Sequence, residues 1–231
     1  NKLSKVFNEI KIFCYLRRQD IVAISLKKQG AKTIQQSSLF GTTMNPLPFL
    51  SNKVSSYLSY HTKLSLWAKY CDPNNMNLYV YEDCIKTNHN IIDHFLNELK
   101  IEIHKTDIKH NQSTGKLKTL TLLKLREQGL DQKHISEISD LIPNDSHSHF
   151  PSRSDCVDFY KKFEHDNFLT NKNFNINDRK NLFDKNFKDY PRQNTSSLNL
   201  DECTEILSNF SKIIILEKNA TKKFSNDEIN L

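Results

Sequence analysis

Two arginines at the end of an apolar run carry the most chemistry in this sequence. Ile10 to Leu16 is short, apolar and rich in β-type residues, and Arg17 and Arg18 follow it directly. A guanidinium just past the carboxyl end of a strand can clamp a phosphate with two parallel N–H donors. Ser25 lies eight residues after Arg17, early in the helix expected next, where its hydroxyl and the positive helix end add to such a site. Arg18 takes the place of Arg17 if the register slips by one. The remaining candidates read more simply. His61 falls inside the apolar stripe of a helix and is expected to pack rather than to act as a base. His147 and His149 have no cysteine or carboxylate at ligand spacing, so they are expected to be solvent-exposed loop residues and no metal is expected. Glu82 and Asp83 read as surface charges at a strand end, and Trp67 reads as core.

The elements that must position these residues follow from periodicity and punctuation. The first strand, a polar turn over Arg17–Asp20 and a helix from Ile21 to Gln29 form the opening of a βα unit, with Asp20 as N-cap and Gly30 as stop. Residues 31–52, marked by Pro46 and Pro48, read as loop. Val54, Tyr57, Leu58, His61, Leu64, Ala68 and Cys71 form one helical stripe. A second strand is expected over Asn77–Tyr81 and a helix over Ile91–Leu99. The order β-α-α-β-α predicts an α/β fold with a parallel sheet flanked by helices. Further helices are expected after Ser113 through Leu125, over Asp155–Phe163, and from an Asp201 cap through Phe210. Residues 131–153 and 167–181 read as irregular, and Lys212–Leu216 as a last strand before a frayed tail.

Composition bounds the function class. The 231 residues, 27.1 kDa, are enough to bury roughly 70% of the unfolded surface. The mean hydropathy of −0.64 is polar, but 14 Phe and 8 Tyr are too many for a disordered chain. No window approaches a membrane span, no secretory leader opens the chain, and no repeat is visible. The net charge of +6 is interspersed with acids, and no basic stripe with interleaved aromatics is present, so no nucleic-acid partner is expected. Five widely spaced cysteines read as reduced thiols of a cytoplasmic protein. Asn1 in place of Met suggests a piece of a longer protein. The four glycines are scattered, so a glycine-rich phosphate cradle is not among these residues.

The spacing of Arg17 and Ser25 resembles the 3′-phosphate-binding motif of the P-loop sulfotransferase superfamily, in its bacterial branch associated with surface polysaccharides. The resemblance continues through Tyr60–Ala68, Leu78–Glu82, Ile91–Leu96, Asn111–Ser113, Phe159–Phe163, Asn167, and Leu182 to Pro191, and so covers about residues 8–192. It implies a P-loop nucleotide-binding domain over 1–192, partial at its start, with a helix–strand extension and tail over 193–231. It also implies 3′-phosphoadenosine-5′-phosphosulfate as donor, its 3′-phosphate held by Arg17, or Arg18, with Ser25. The reaction would be metal-free transfer of a sulfuryl group to a hydroxyl, by association that of a saccharide. The chain departs from the pattern at its start, where the phosphosulfate loop and its strand are absent, and Asn111–Ser113 does not match the later glycine-rich segment. No catalytic base is identified. A transferase using another activated donor, and a non-catalytic binding module on the same scaffold, remain alternatives. A parallel sheet without its central strand would leave unpaired edges, so poor solubility of the 231 residues alone is expected.

Overall fold

A computed structural model describes residues 6–7, 9–88, 90–102 and 113–211. The fold is mixed α/β and mostly helical, with one small parallel sheet. Strand β1 (Ile12–Leu16) pairs in parallel with β2 (Met76–Val80), Ile12 opposite Met76 and Leu16 opposite Val80. Parallel pairing places both carboxyl ends at one edge of the sheet, so Arg17 and Tyr81 leave it side by side. Between the strands run α1 (Gln19–Lys32), α2 (Ile34–Phe40), α3 (Asn52–Leu58) and α4 (Tyr60–Ala68). After β2 come α5 (Tyr81–Asn88), α6 (Ile91–Glu98), α7 (Lys116–Glu127), α8 (Gln132–Leu141), α9 (Arg153–Lys161), α10 (Glu164–Phe174) and α11 over 200–211. The expected strand at Lys212–Leu216 lies outside the described residues.

The chain divides into two compact units, and the division first falls within α1. The first comprises Asn1–Ala23, Leu50–Asn111 and Ser154–Asp189; the second comprises Ile24–Phe49, Gln112–Arg153 and Tyr190–Leu231. The first unit holds the sheet. Its buried side chains include Leu16, Val54, Leu58, Leu64, Val80, Phe159, Phe163, Leu182 and Phe183. The core of the second unit is Ala31, Leu122, Leu123, Ile135 and Ile142, with Leu125, Leu130 and Ile138 packed against it.

Several expected loops and boundaries differ, each for an identifiable physical reason. The single helix expected from Val54 to Cys71 is two helices, because Ser59 turns extended (φ −76°, ψ 118°). The Asp166 carboxylate of α10 then accepts from Tyr60 N and His61 N at 2.8 and 3.3 Å and starts α4 anew. Within 31–52, expected as loop, α2 forms and ends at Gly41, whose φ of 77° suits a residue without Cβ. Gly30 does not stop α1: it lies inside the helix, where a Cβ would meet Ser37 N at 3.0 Å, so it permits close approach of α2. The α8 segment also read as loop, but Asp131 caps it through His134 N at 3.0 Å and it buries Ile135 and Ser139. In α10, expected to be irregular, buried Asn167 exchanges two amide hydrogen bonds with buried Gln19, at 2.6 and 3.0 Å. Helix α11 forms as expected, but its cap is Asn199: Asn199 Oδ1 accepts from Glu202 N at 2.8 Å and Glu202 Oε2 from Asn199 N at 3.0 Å, a reciprocal box.

Candidate functional site at the carboxyl end of the sheet

Arg17 leaves β1 at the carboxyl edge and is held there by the first turn of α5. Its Nε donates to Glu82 Oε1 at 2.8 Å, and its guanidinium lies 4.8 Å from the centre of the Tyr81 ring. Tyr60 Oη donates to the Arg17 carbonyl at 2.5 Å and ties the backbone at this point to α4. Burial pushes the Tyr60 phenol above its usual range, so the tyrosine stays a donor. The Arg17 side chain is 37% exposed, and no described residue accepts from its two Nη groups. Glu82, read as a surface charge, is therefore the group that fixes the Arg17 fork.

Arg18 is turned the other way and has a different task. Its Nε and Nη2 donate to the Asp20 carboxylate at 2.8 and 3.0 Å. Its Nη1 donates to Asp184 O at 2.9 Å and Asn186 O at 2.8 Å, and the guanidinium lies 4.0 Å from the Phe187 ring centre. Arg18 and Asp20 are both buried. The pair brackets the 184–187 segment, with every nitrogen of the fork in use. Ser25 is exposed on α1 and belongs to the second unit, whereas Arg17 belongs to the first.

Trp67 and His149 lie where the sequence did not put them, whereas His147 and His61 lie as expected. Trp67 is 54% exposed and borders a cavity of about 280 Å³ that runs along β1, lined by Ile12 to Leu16 with Tyr60, Lys63 and Leu64. His149 is fully buried rather than solvent-exposed: its Nε2 lies 2.9 Å from Met44 O and so carries the proton, and burial lowers the imidazole to about 4. His147 is exposed beside Asp145, at 3.3 Å. His61 is half-buried, with Asn173 Nδ2 2.8 Å from its Nε2. Among the described residues no group of three His, Cys, Asp or Glu side chains is placed to hold a metal. None of the five cysteines forms a disulfide, and burial raises the Cys14 and Cys84 thiols, which keeps them poor nucleophiles at neutral pH.

Sequence reasoning missed an aromatic and imidazole cluster on the sheet. Tyr15 and Tyr79 face each other across the strands in register and stack with centroids 5.5 Å apart. His94 of α6 packs edge-on to both, with its Nδ1 3.1 Å from Tyr15 Oη, while Tyr79 Oη donates to Glu98 at 2.6 Å. Period two places Tyr15 and Tyr79 each on one strand face, but nothing in the sequence states which residues stand opposite each other. A second cavity, about 240 Å³, runs along β2 beside this cluster and is lined in part by Tyr79, Asp83, Cys84, Thr87 and His94.

No helix among the described residues is long and apolar enough to cross a membrane. Compared with known proteins, the chain matches no family model, no curated protein and no solved structure.

Proposed function

We propose that the chain binds the phosphate of a nucleotide donor through Arg17 and serves sulfuryl transfer to a hydroxyl, within a P-loop type of nucleotide-binding fold. The observation that carries this reading is the unspent Nη pair of a part-exposed arginine, fixed by Glu82 and Tyr81 at the carboxyl ends of parallel strands. Ligands of open α/β sheets collect at that edge, and a guanidinium fork is the geometry that takes two phosphate oxygens at once. Arg18 is excluded from this role because Asp20, Asp184 and Asn186 already take its donors. Arg17 alone carries the proposal, since Ser25, exposed on α1, belongs to the second unit.

The fit to the donor is partial. The phosphate end finds a fork, but the described residues include no glycine-rich loop after a strand: β1 runs into Arg17 and Arg18, and β2 directly into α5. The donor nucleotide supplies an activated sulfuryl group; the contribution of these residues is to bind its phosphate and orient it at the sheet edge. Titration calorimetry with 3′-phosphoadenosine-5′-phosphate tests the reading. Saturable binding to the chain, weakened about tenfold or more in Arg17→Ala, is expected for a charge-assisted contact of about 1.5–3 kcal/mol. Equal affinity of the variant overturns the assignment.

A further inference from the structure

We infer that the unpaired edge of β1 is the interface of a symmetric dimer, in which a second copy of this chain lays its own β1 antiparallel against the first. Among the described residues β1 pairs with β2 on one side only. The cavity of about 280 Å³ lies along its other side. A cavity over one face of a strand is walled by alternate residues. This one is walled by all five in succession, Ile12 to Leu16, and by Met76 alone from β2. Parallel strands are ordinarily buried on both faces, yet Ile12, Phe13, Cys14 and Tyr15 are only half-buried. Such an edge offers its N–H and C=O groups to any strand that reaches it.

The surroundings of the edge select a second copy as its occupant. Phe13 and Tyr15 face α6, with ring centres 5.2 Å from Phe95 and 5.5 Å from His94. Ile12, Cys14 and Leu16 alternate to the other face, where α4 brings Tyr60, Lys63, Leu64 and Trp67 to the cavity. Both helices reach the edge with apolar surface to spare. Trp67 is 54% exposed, and no residue of α6 is buried although it carries Ile91, Ile92, Phe95 and Leu96. A two-fold axis normal to the sheet keeps like faces together, so a second copy brings its own α4 to one face and its own α6 to the other. A lone peptide brings no cover. Charge then chooses the register. The strand itself is uncharged, and Lys63, the one cation of the cavity, already donates to the Tyr57 carbonyl. With Phe13 on the axis, Phe13 meets the partner's Phe13, and at each end Glu9 stands opposite the partner's Arg17. With Cys14 on the axis, Lys11 stands opposite the partner's Arg17, and like charges repel.

Light scattering on the full chain without nucleotide reads the mass, and so tests the interface whether or not Arg17 takes a phosphate. A particle of twice 27.1 kDa that dissociates on dilution is expected. Glu9→Lys changes an exposed side chain and turns both Glu9–Arg17 pairs from attraction to repulsion, so it should weaken the dimer about tenfold or more. The register is read by cross-linking. Ile12 stands opposite the partner's Cys14, so Ile12→Cys should join the two chains on mild oxidation with diamide, and adding Cys14→Ser should abolish the link. A monomer at every concentration overturns the inference and leaves the edge to a strand of another kind. Assemblies that grow past two chains also overturn it, because pairing about a two-fold axis closes. So does a dimer that Glu9→Lys leaves unweakened or that Ile12→Cys fails to link.

Discussion

At the end of β1, in the first unit, a cation stands in partial contact with solvent and with its terminal donors unused. In the second unit two lysines are buried and engaged. Lys116 places its ammonium on both Glu202 oxygens, at 2.7 and 2.8 Å, and on Ser197 O at 2.8 Å. Lys27 donates to Phe40 O at 3.1 Å and Thr43 Oγ1 at 3.0 Å. A basic residue is thus informative about ligands only once its donors are counted. Buried cations must spend their hydrogen bonds inside the protein to offset lost hydration, and what they spend they cannot offer. Arg17 and Arg18 repeat the contrast at adjacent positions, one with an open fork and one with none.

The largest effects should come from breaking the engaged cations. Lys116→Met leaves the Glu202 carboxylate without its ammonium, and Arg18→Met strips both guanidinium bonds from Asp20. Each should cost about 3–5 kcal/mol, read as a drop in the urea midpoint. Arg17→Ala removes a part-exposed ion pair and should shift that midpoint by no more than about 1 kcal/mol. A loss of stability from Arg17→Ala as large as that from Arg18→Met would erase the distinction between them.

Titration sharpens the comparison with smaller effects. Burial lowers the Lys27 ammonium from 10.5 to about 8. From about pH 8 to 10.5 the unfolded chain holds a proton the folded protein has released, so this residue makes stability rise with pH across that window. In Lys27→Met that part of the rise should vanish from the urea midpoint measured against pH. His149 acts on the acid side. Its imidazole is lowered from 6.5 to about 4, so its contribution to stability is lost as pH falls through that interval, and His149→Gln should flatten the acid limb. The smallest effect belongs to the exposed Lys124–Glu127 pair, 2.7 Å apart on α7. Glu127→Gln should change stability by less than about 1 kcal/mol, within the range of surface pairs.

What the sequence disclosed was local, and what it hid was paired at a distance. The β1–α1 opening, β2, α6 and α7 follow from short apolar runs and helical spacing, and they lie close to where those signals put them. The break at Ser59 was hidden because its cause, Asp166, stands on α10. Helix α10 itself was hidden because an asparagine-rich stretch reads as loop until Gln19 is known to satisfy Asn167. Helix α8 was more legible than its reading as a loop allowed, since Asp131 and the spacing of Ile135, Ile138 and Ile142 carry a cap and a stripe. At the site, the sequence singled out the two arginines but could not choose between them. The choice depends on which side chain meets Asp20 and which meets Glu82, and that is set by the packing of 184–187 and of α5.

The most direct test of the unspent fork is the affinity of 3′-phosphoadenosine-5′-phosphate for Arg17→Lys against the unaltered chain, by calorimetry. Lysine keeps the charge but presents a single ammonium in place of two parallel donors. The variant is expected to lose most of the binding, close to the loss in Arg17→Ala. Full affinity with lysine would contradict it, and would reduce Arg17 to a point charge at the sheet edge.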